Sequence, residues 1–172
     1  MAALGLPEGW IGAGLLRNAV WDALSGLPFG TNPPGDADVV WFDPARADPA
    51  TDAALEARLR RCWPEGPGPS VRNQARMHAR NGDAPYAGTL DAVARWPETA
   101  TAVAARWTTP AGRVEVAAPW GLGDLLGLVV RPTPAFAADP AKRAVFEARL
   151  AAKAWDRRWP ALRILRGGAP GA

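Results

Sequence analysis

The run from Asp36 to Asp43, Asp-Ala-Asp-Val-Val-Trp-Phe-Asp, constrains the fold of this chain most strongly. Two β-branched residues and two aromatic residues follow one another at its centre, and this composition favours a strand over a helix. The segment 28–35 before it is rich in proline and glycine, which predicts a loop. We therefore predict a buried strand whose first two acids enter from a loop.

A glycine turn upstream, Gly12-Ala-Gly14, is the second informative feature. Aliphatic residues recur at helical spacing after it and predict a helix over about residues 14–25. Glycines allow close approach of the backbone to a ligand, and a helix N-terminus offers free N–H groups to phosphate oxygens. Arg17 and Asn18 on the first helical turn are placed to reach the same ligand. The alternative is a tight strand-to-helix turn that leaves Arg17 in solvent.

The spacing of Asp36 and Asp38 suggests a metal site. Side chains at positions i and i+2 of a strand project from the same face, whereas Asp43 has the opposite parity. Two carboxylates suit Mg²⁺, which completes its coordination with waters and substrate phosphates. Such a pair alone is more typical of turns and caps. A phosphate-binding turn followed about 20 residues later by paired carboxylates, however, is the layout for metal-assisted nucleotidyl transfer.

The rest of the chain alternates irregularly between helical and strand patterns, so we predict an α+β fold with a mixed sheet and helices packed on it. The predicted elements are a helix at 49–61, a polar strand at 70–78, one or two helices at 90–107 broken near Pro97, a strand at 112–117, a helix at 122–130 and a long helix at 140–159. A single domain is expected over residues 1–166, followed by a disordered tail at 167–172.

The polar segment 70–78 would place four side chains on one strand face: Arg72, Gln74, Arg76 and His78. These side chains either line a cleft for an anionic ligand or form a solvated face. His78 is the only histidine, and a structural hydrogen-bonding role is favoured for it over that of a general base.

The amino-acid composition narrows the classes of protein to which this chain can belong. Lys+Arg number 20 against 17 Asp+Glu, and all the basic residues except Lys142 and Lys153 are arginines, which can bind phosphate with two parallel hydrogen bonds. A genome rich in arginine codons explains the count equally well. No apolar run is long enough to span a bilayer, and the N-terminus lacks the basic start of a secretory signal. With Cys62 as the single cysteine, a cytoplasmic protein without membrane partners is expected.

Five blocks resemble, in order, a bacterial family of nucleotidyltransferase-like proteins within the DNA-polymerase-β-like superfamily. They are Gly12–Asp22, Asp36–Asp43, Ser70–His78, Asn81–Tyr86 and Trp96–Val103. The resemblance extends over about residues 8–160. It implies a nucleotidyltransferase-like mixed sheet with a helical C-terminal part, and the use of Mg²⁺ and a nucleoside triphosphate. It implies no particular acceptor.

The resemblance also implies roles for single residues. Gly12 and Gly14 match the nucleotide-side turn, and Asp36 and Asp38 match the two metal ligands. The third carboxylate of the superfamily has no clear match, because Arg72, Asn73 and Gln74 occupy the next polar strand. Glu115 has a suitable local pattern, although it belongs to a later strand.

Two hypotheses follow. The first is a Mg²⁺-dependent enzyme that transfers a nucleoside monophosphate from an NTP to a small molecule, protein or RNA; Arg17, Asn18, Arg72 and Arg76 would bind the nucleotide. The second is a non-catalytic relative that binds a nucleotide or phosphate ligand as a sensor or regulator, as the doubtful third carboxylate favours. An RNA-binding module has only the high isoelectric point in its support.

Overall fold

A computed structural model describes residues 5–109 and 111–167. The predicted mixed sheet is present. Its five strands lie in the order β3-β2-β1-β4-β5, and all neighbours are antiparallel except the parallel pair β2–β3. Their bounds are β1 Trp10–Gly12, β2 Ala37–Trp41, β3 Pro69–Asn73, β4 Ala104–Thr108 and β5 Arg113–Ala117. Two short parallel strands, β6 Val129–Val130 and β7 Arg163–Ile164, form a second sheet.

Eight α-helices accompany the sheets in the described part of the chain. They are α1 Gly14–Leu24, α2 Pro49–Cys62, α3 Met77–Asn81, α4 Thr89–Ala94, α5 Gly123–Leu126, α6 Pro134–Ala138, α7 Pro140–Lys153 and α8 Trp155–Arg158. Short 3₁₀ turns occupy Pro44–Arg46 and Gln74–Arg76. Helices α1 and α2 agree with the periodicity, and Pro49 begins α2 behind Asp48, whose carboxylate accepts a hydrogen bond from the N–H of Ala50.

Four predicted elements need correction. The strand at 70–78 ends at Asn73, because its side chain accepts a hydrogen bond from the N–H of Ala75 and turns the chain. The helix at 140–159 ends at Lys153, where Ala154 adopts a left-handed conformation with φ 44°. Helix α4 stops well before 107, and residues 104–108 pair with β1 and β5 instead. The helix predicted at 122–130 is only the single turn α5.

A tryptophan cluster forms the centre of the larger core. Trp21 of α1 is fully buried, and the indoles of Trp155 and Trp159 meet its ring edge-on at centroid distances of 6.1 and 5.1 Å. Aliphatic and aromatic residues of α5, α6 and α7 complete this core. It therefore joins the C-terminal helices to α1, and α1 begins directly at the glycine turn.

Helix α2 packs on one face of the sheet, and the acids lie on the opposite face. Val39, Trp41 and Val71 pack there with Leu55 and Leu59 of α2. Because strand neighbours alternate between faces, Asp38 and Val40 project to the opposite face.

No helix in the described ranges is long and apolar enough to cross a membrane. The predicted disordered tail lies, except for Gly167, outside the described residues.

Candidate nucleotide-binding site

The register of the sheet brings the glycine turn next to the acids. Asp38 lies opposite Gly12 of β1 on one side and Ser70 of β3 on the other. Directly paired residues project from the same face. Asp38 therefore stands on a sheet face that is flanked by Gly12 and Ser70, and Asp36 lies just before the strand.

A cleft in two lobes opens over this face. The small lobe has a cavity volume of about 400 Å³ and lies between the start of α1, the acids and the end of the α7–α8 segment. The large lobe, about 820 Å³, extends over β3 and is bounded by α3 and α7. Five residues line both lobes: Ala13, Asp38, Arg80, Thr101 and Arg149. Asp38 therefore lies where the two lobes meet.

The small lobe is strongly charged. Both acids, Asp36 and Asp38, line it together with five cationic residues: Arg17, Arg80, Arg149, Lys153 and Arg158. Burial, and after it the charge of Asp36, raises the pKa of Asp38 to about 6 against the influence of Lys153, Arg149 and Arg17. Two carboxylates that repel each other at a half-buried position are favourable ligands for a hard cation, and the surrounding cations suit phosphate. The donor set therefore fits Mg²⁺ together with an anionic ligand.

Arg17 is buried in the wall of the small lobe, with only 5% of its surface exposed. Its Nη1 donates to Oγ1 of Thr101 and its Nη2 to Oδ1 of Asn18, both at 2.9 Å, and its guanidinium lies 4.5 Å from the ring centroid of Trp155. Burial lowers its pKa to about 10. The alternative of a solvated Arg17 is wrong. The Nε of Arg17 is buried and has no hydrogen-bond partner among the described residues.

Gly12 and Gly14 differ in how much space a side chain would have at each position. A Cβ on Gly12 would lie 2.5 Å from Cη2 of Trp96, so glycine at this position makes room for that indole. A Cβ on Gly14 would meet Cβ of Pro34 at an ordinary 3.5 Å. Gly14 lines the small lobe, whereas Gly12 lies beneath Trp96 and lines neither lobe.

Ala13 occupies a backbone conformation that normally requires glycine. Its φ of 53° and ψ of −120° match the first central position of a type II′ turn. Such a conformation costs a non-glycine residue on the order of 1–3 kcal/mol. The turn is nevertheless held, because the N–H of Ala13 donates to the carbonyl of Val103 at 3.1 Å.

Replacement of Ala13 by glycine is expected to raise the melting temperature. Relief of strain outweighs the added flexibility of the unfolded chain and yields about 1 kcal/mol, or roughly 2–4 °C for a chain of this length. Thermal unfolding followed by circular dichroism measures the change. Ala144→Gly, at an exposed position in the interior of α7, is the control and should destabilise by about 1 kcal/mol. A lower melting temperature for Ala13→Gly would show that the turn is unstrained.

Three predicted site residues lie elsewhere or have protein partners. Arg72 lines the large lobe, and its Nη1 donates to Oε2 of Glu56 at 2.6 Å. Arg76 lines neither lobe; its guanidinium pairs with the buried carboxylate of Asp52. Glu115 lies on β5, three strands from β2, and its Oε2 accepts from Nε of Arg106 at 2.8 Å. The structure therefore does not bring Glu115 to the acidic pair.

The described part of the chain offers no third His, Cys, Asp or Glu to complete a metal site with the pair. Residues 5–109 and 111–167 contain no group of three or more His, Cys, Asp or Glu side chains that could hold a metal ion together. On β3, the strand next to Asp38, Ser70 and Arg72 occupy the positions that share its face. Asp36 and Asp38 are therefore the paired acids of the site, and Asp139 is a further acid that lines the large lobe.

Several cleft residues escaped the sequence reasoning. Trp96 covers Gly12 and lines the large lobe. Arg149, Lys153 and Arg158 come from α7 and α8 and complete the small lobe. Basic residues near a helix C-terminus are common, so no local signal distinguished these three.

One wall of the large lobe is held by a buried carboxylate. Asp83 accepts hydrogen bonds from the hydroxyl of Tyr86, at 2.7 Å, and from the ammonium of Lys142 on α7. Burial raises the pKa of Asp83, but these hydrogen bonds outweigh it and hold the pKa below its usual value. Asp83 thus joins the segment after α3 to α7, which is a structural role.

Asp83 is expected to contribute stability that depends on pH. Because its folded pKa is lowered, the contribution is present above the unfolded value of about 3.9 and is lost as the pH falls through the folded pKa. Asp83→Asn should therefore be less stable than wild type at pH 7 and approach it under acidic conditions. Urea unfolding between pH 7 and pH 3 tests this. A stability difference that is constant with pH would contradict the assignment.

The fold and the site define the class. The model of a nucleotidyltransferase family matches residues 1–164 of this chain, whose mixed sheet presents two acids beside a glycine turn. The chain is also 33% identical to a protein whose NMR structure reveals a CCA-adding enzyme head domain; the match covers 96% of this chain and 85% of that one, with a TM-score of 0.85. The chain belongs to this nucleotidyltransferase family.

More distant structures share the fold. A tRNA nucleotidyltransferase complexed with a primer tRNA and an incoming ATP analogue is 20% identical, with a TM-score of 0.53 over 96% of this chain and 45% of that one. The Bacillus stearothermophilus CCA-adding enzyme in complex with CTP is 14% identical, with a TM-score of 0.51 over 91% and 36%. The chain spans less than half of either protein. A search of curated proteins gave no match.

Proposed function

We propose that this protein is a Mg²⁺-dependent nucleotidyltransferase that transfers a nucleoside monophosphate from an NTP to an acceptor. A nucleophile on the acceptor bonds to the α-phosphorus, the bond to the bridging oxygen breaks, and pyrophosphate leaves. The observation that carries the proposal is the position of Asp36 and Asp38 directly beside a cationic lobe. Membership of the nucleotidyltransferase family supports it.

The residues of the small lobe have distinct roles in this proposal. Asp36 and Asp38 hold Mg²⁺, which when bound neutralises charge on the phosphates. Free N–H groups at the start of α1, with Gly14 as its first residue, face the triphosphate. Arg17, Lys153 and Arg158 supply positive charge. Asn18 lines the lobe but is engaged already, because its Nδ2 donates to the carbonyl of Asn32 at 3.0 Å.

The large lobe is proposed to admit the acceptor. Attacking and leaving groups lie on opposite sides of a phosphorus in an in-line displacement. If pyrophosphate occupies the small lobe, the nucleophile enters from the large one, where Arg72 contributes to the wall. The proposed acceptor is a small molecule, a protein or an RNA. The proposed place of the reaction is the cytoplasm, where NTPs are abundant.

A second candidate is a non-catalytic protein that binds a nucleotide or another phosphate ligand as a sensor or regulator. The specific observation in its favour is the pair of non-acidic residues, Ser70 and Arg72, beside Asp38 on β3. Without a third carboxylate, the site lacks an evident base for the acceptor. Ligand binding would then be retained without any transfer.

A thermal-shift screen tests the proposed function. Wild type and Asp38→Ala are heated with each of the four NTPs, with and without Mg²⁺. A ligand that binds only the folded state at a hundredfold excess over its Kd stabilises that state by about 2.7 kcal/mol. We expect a Mg²⁺-dependent rise in melting temperature for wild type that Asp38→Ala has lost. Asp91→Ala, which removes a half-buried acid of α4 outside both lobes, is the control.

The outcomes separate the candidates. A Mg²⁺-dependent shift followed by incorporation of label from an α-³²P-labelled NTP supports the enzyme. A shift without incorporation into any tested acceptor favours the sensor. If no NTP shifts the melting temperature of wild type, the nucleotide site itself is refuted.

A further inference from the structure

The segment Trp96–Val103, between α4 and β4, is unusual because it buries polar side chains outside regular secondary structure. Glu98 is fully buried, as are Thr99 and Thr101. Each contacts a different helix: Thr101 accepts from Arg17 of α1, Thr99 donates to Asp124 of α5, and Glu98 accepts from Arg149 of α7. A buried carboxylate destabilises the folded protein unless it is paired, and the partner of Glu98 is Arg149.

Glu98 and Arg149 form a bidentate ion pair. The Nε of Arg149 lies 2.7 Å from Oε1 of Glu98, and its Nη2 lies 3.2 Å from Oε2. Two parallel hydrogen bonds fix the plane of a guanidinium as well as its position. The Nη1 of Arg149 has no hydrogen-bond partner among the described residues, and a third of the side chain is exposed. One edge of this guanidinium is thus anchored while the residue lines the cleft.

Arg149 lies where the two lobes meet. It lines both of them, as Asp38 does. Burial lowers the pKa of Arg149, but the hydrogen bonds to Glu98 and the charges of Glu98 and Asp38 outweigh burial and raise it. The charge of Asp38 therefore acts on Arg149. A phosphorus held at Asp38, with its leaving group in one lobe and its nucleophile in the other, lies next to this arginine.

The surrounding charges indicate what Arg149 faces. After burial, which is the main cause, the charges of Arg149 and Arg158 lower the pKa of Arg17 against the opposing charge of Glu98, so both guanidiniums repel that of Arg17. Glu98 compensates only one of them by direct hydrogen bonds. An anionic group between these arginines would relieve the repulsion.

We propose that Arg149 contacts the phosphate that is transferred, and that Glu98 is the positioning residue that fixes its guanidinium. This inference rests on the proposed function, because it assumes that an NTP binds with its phosphates in the small lobe. The segment Trp96–Val103 then orients two arginines of the site by hydrogen bonds: Glu98 orients Arg149, and Thr101 orients Arg17.

Calorimetric titration with MgATP and with magnesium pyrophosphate tests the inference. The variants are Arg149→Met, Glu98→Gln and the double variant. Arg149→Met alone leaves Glu98 buried without its cation and is expected to be less stable. The double variant removes both charges and keeps the test valid if the single variant fails to fold. Arg166→Met is the matched control. Arg166 pairs with Glu147, a residue of α7 like Arg149, and both members of this pair lie outside the two lobes.

Loss of Arg149 should weaken MgATP binding about tenfold to a hundredfold, the range for a charge-assisted hydrogen bond. Glu98→Gln should cost about threefold to tenfold, because the guanidinium remains but must be ordered on binding. In the Arg149→Met background, Glu98→Gln should restore stability without changing affinity further. A merely structural ion pair would show the recovery of stability but no loss of affinity in the double variant.

The results distinguish this inference from the proposed function. Wild-type binding that requires Asp38 but is unchanged in the folded double variant overturns the role of Arg149 alone. Absence of any MgATP or pyrophosphate binding by wild type overturns both. A loss of affinity in Arg166→Met equal to that in Arg149→Met would also overturn the inference, because the effect would then be general electrostatics.

Discussion

Replacement of Asp38 by asparagine is expected to lower the rate of nucleotidyl transfer by at least about a thousandfold, which corresponds to about 4 kcal/mol in the barrier. Asparagine retains the size of the side chain but removes the charge that holds Mg²⁺ against the triphosphate. Within residues 5–109 and 111–167 no group of three or more His, Cys, Asp or Glu side chains could hold the metal, so the variant keeps only the carboxylate of Asp36 at the pair. Incorporation of label from an α-³²P-labelled NTP under single-turnover conditions measures the loss.

The same variant should remain folded. Asp38 is half-buried and repelled by Asp36, so a neutral side chain relieves a cost in the ligand-free protein. We expect a melting temperature equal to or above that of wild type. Asp91→Asn serves as the control for both measurements. Full activity in Asp38→Asn, with Mg²⁺ still required, would place the metal site elsewhere.

Replacement of Trp21 by alanine is expected to have the largest effect on stability. Trp21 is completely buried; its Nε1 donates to the carbonyl of Leu125 at 3.1 Å, and two further indoles pack against its ring. Loss of a buried tryptophan costs about 3–5 kcal/mol through the cavity it leaves. Since domains are stable by only about 5–15 kcal/mol, much of the protein's stability would be lost.

Urea denaturation at 25 °C measures this effect, and Trp107→Ala is its matched control. Trp107 lies on β4 with 58% of its surface exposed, so the same substitution there should change the free energy of unfolding by less than about 1 kcal/mol. Equal losses in the two variants would show that Trp21 is not central to the core. A folded Trp21→Ala protein would also allow the nucleotide affinity to be compared, because Trp21 supports the helix that carries Arg17.

The elements with strong local patterns were predictable. Strand β2 follows from its β-branched and aromatic run, and α1 from apolar residues at helical spacing after Gly14. The segments that failed have weak or competing local signals. The alternation in 70–78 continues beyond Asn73, but the side chain of Asn73 captures backbone groups and ends the strand. At 104–108, pairing with β1 overrides a helical pattern, because sheet contacts outweigh propensity.

For the candidate site, the parity of strand positions was informative. It places Asp36 and Asp38 on one face, and the register places Gly12 opposite Asp38. Parity could not reveal that Glu115 projects three strands away, because sequence order does not give strand order. It also could not show that the indole of Trp96 packs over Gly12.

The sequence by itself determined the glycine turn, the helix after it and the paired acids, because each depends on residues that are neighbours along the chain. Only the tertiary structure decided what surrounds them. Arg149 and Glu98 meet because α7 packs against the segment before β4, and Arg17 is buried because α8 brings Trp155 over its guanidinium. These contacts join distant parts of the chain, and their energies depend on burial and distance, which no local pattern encodes.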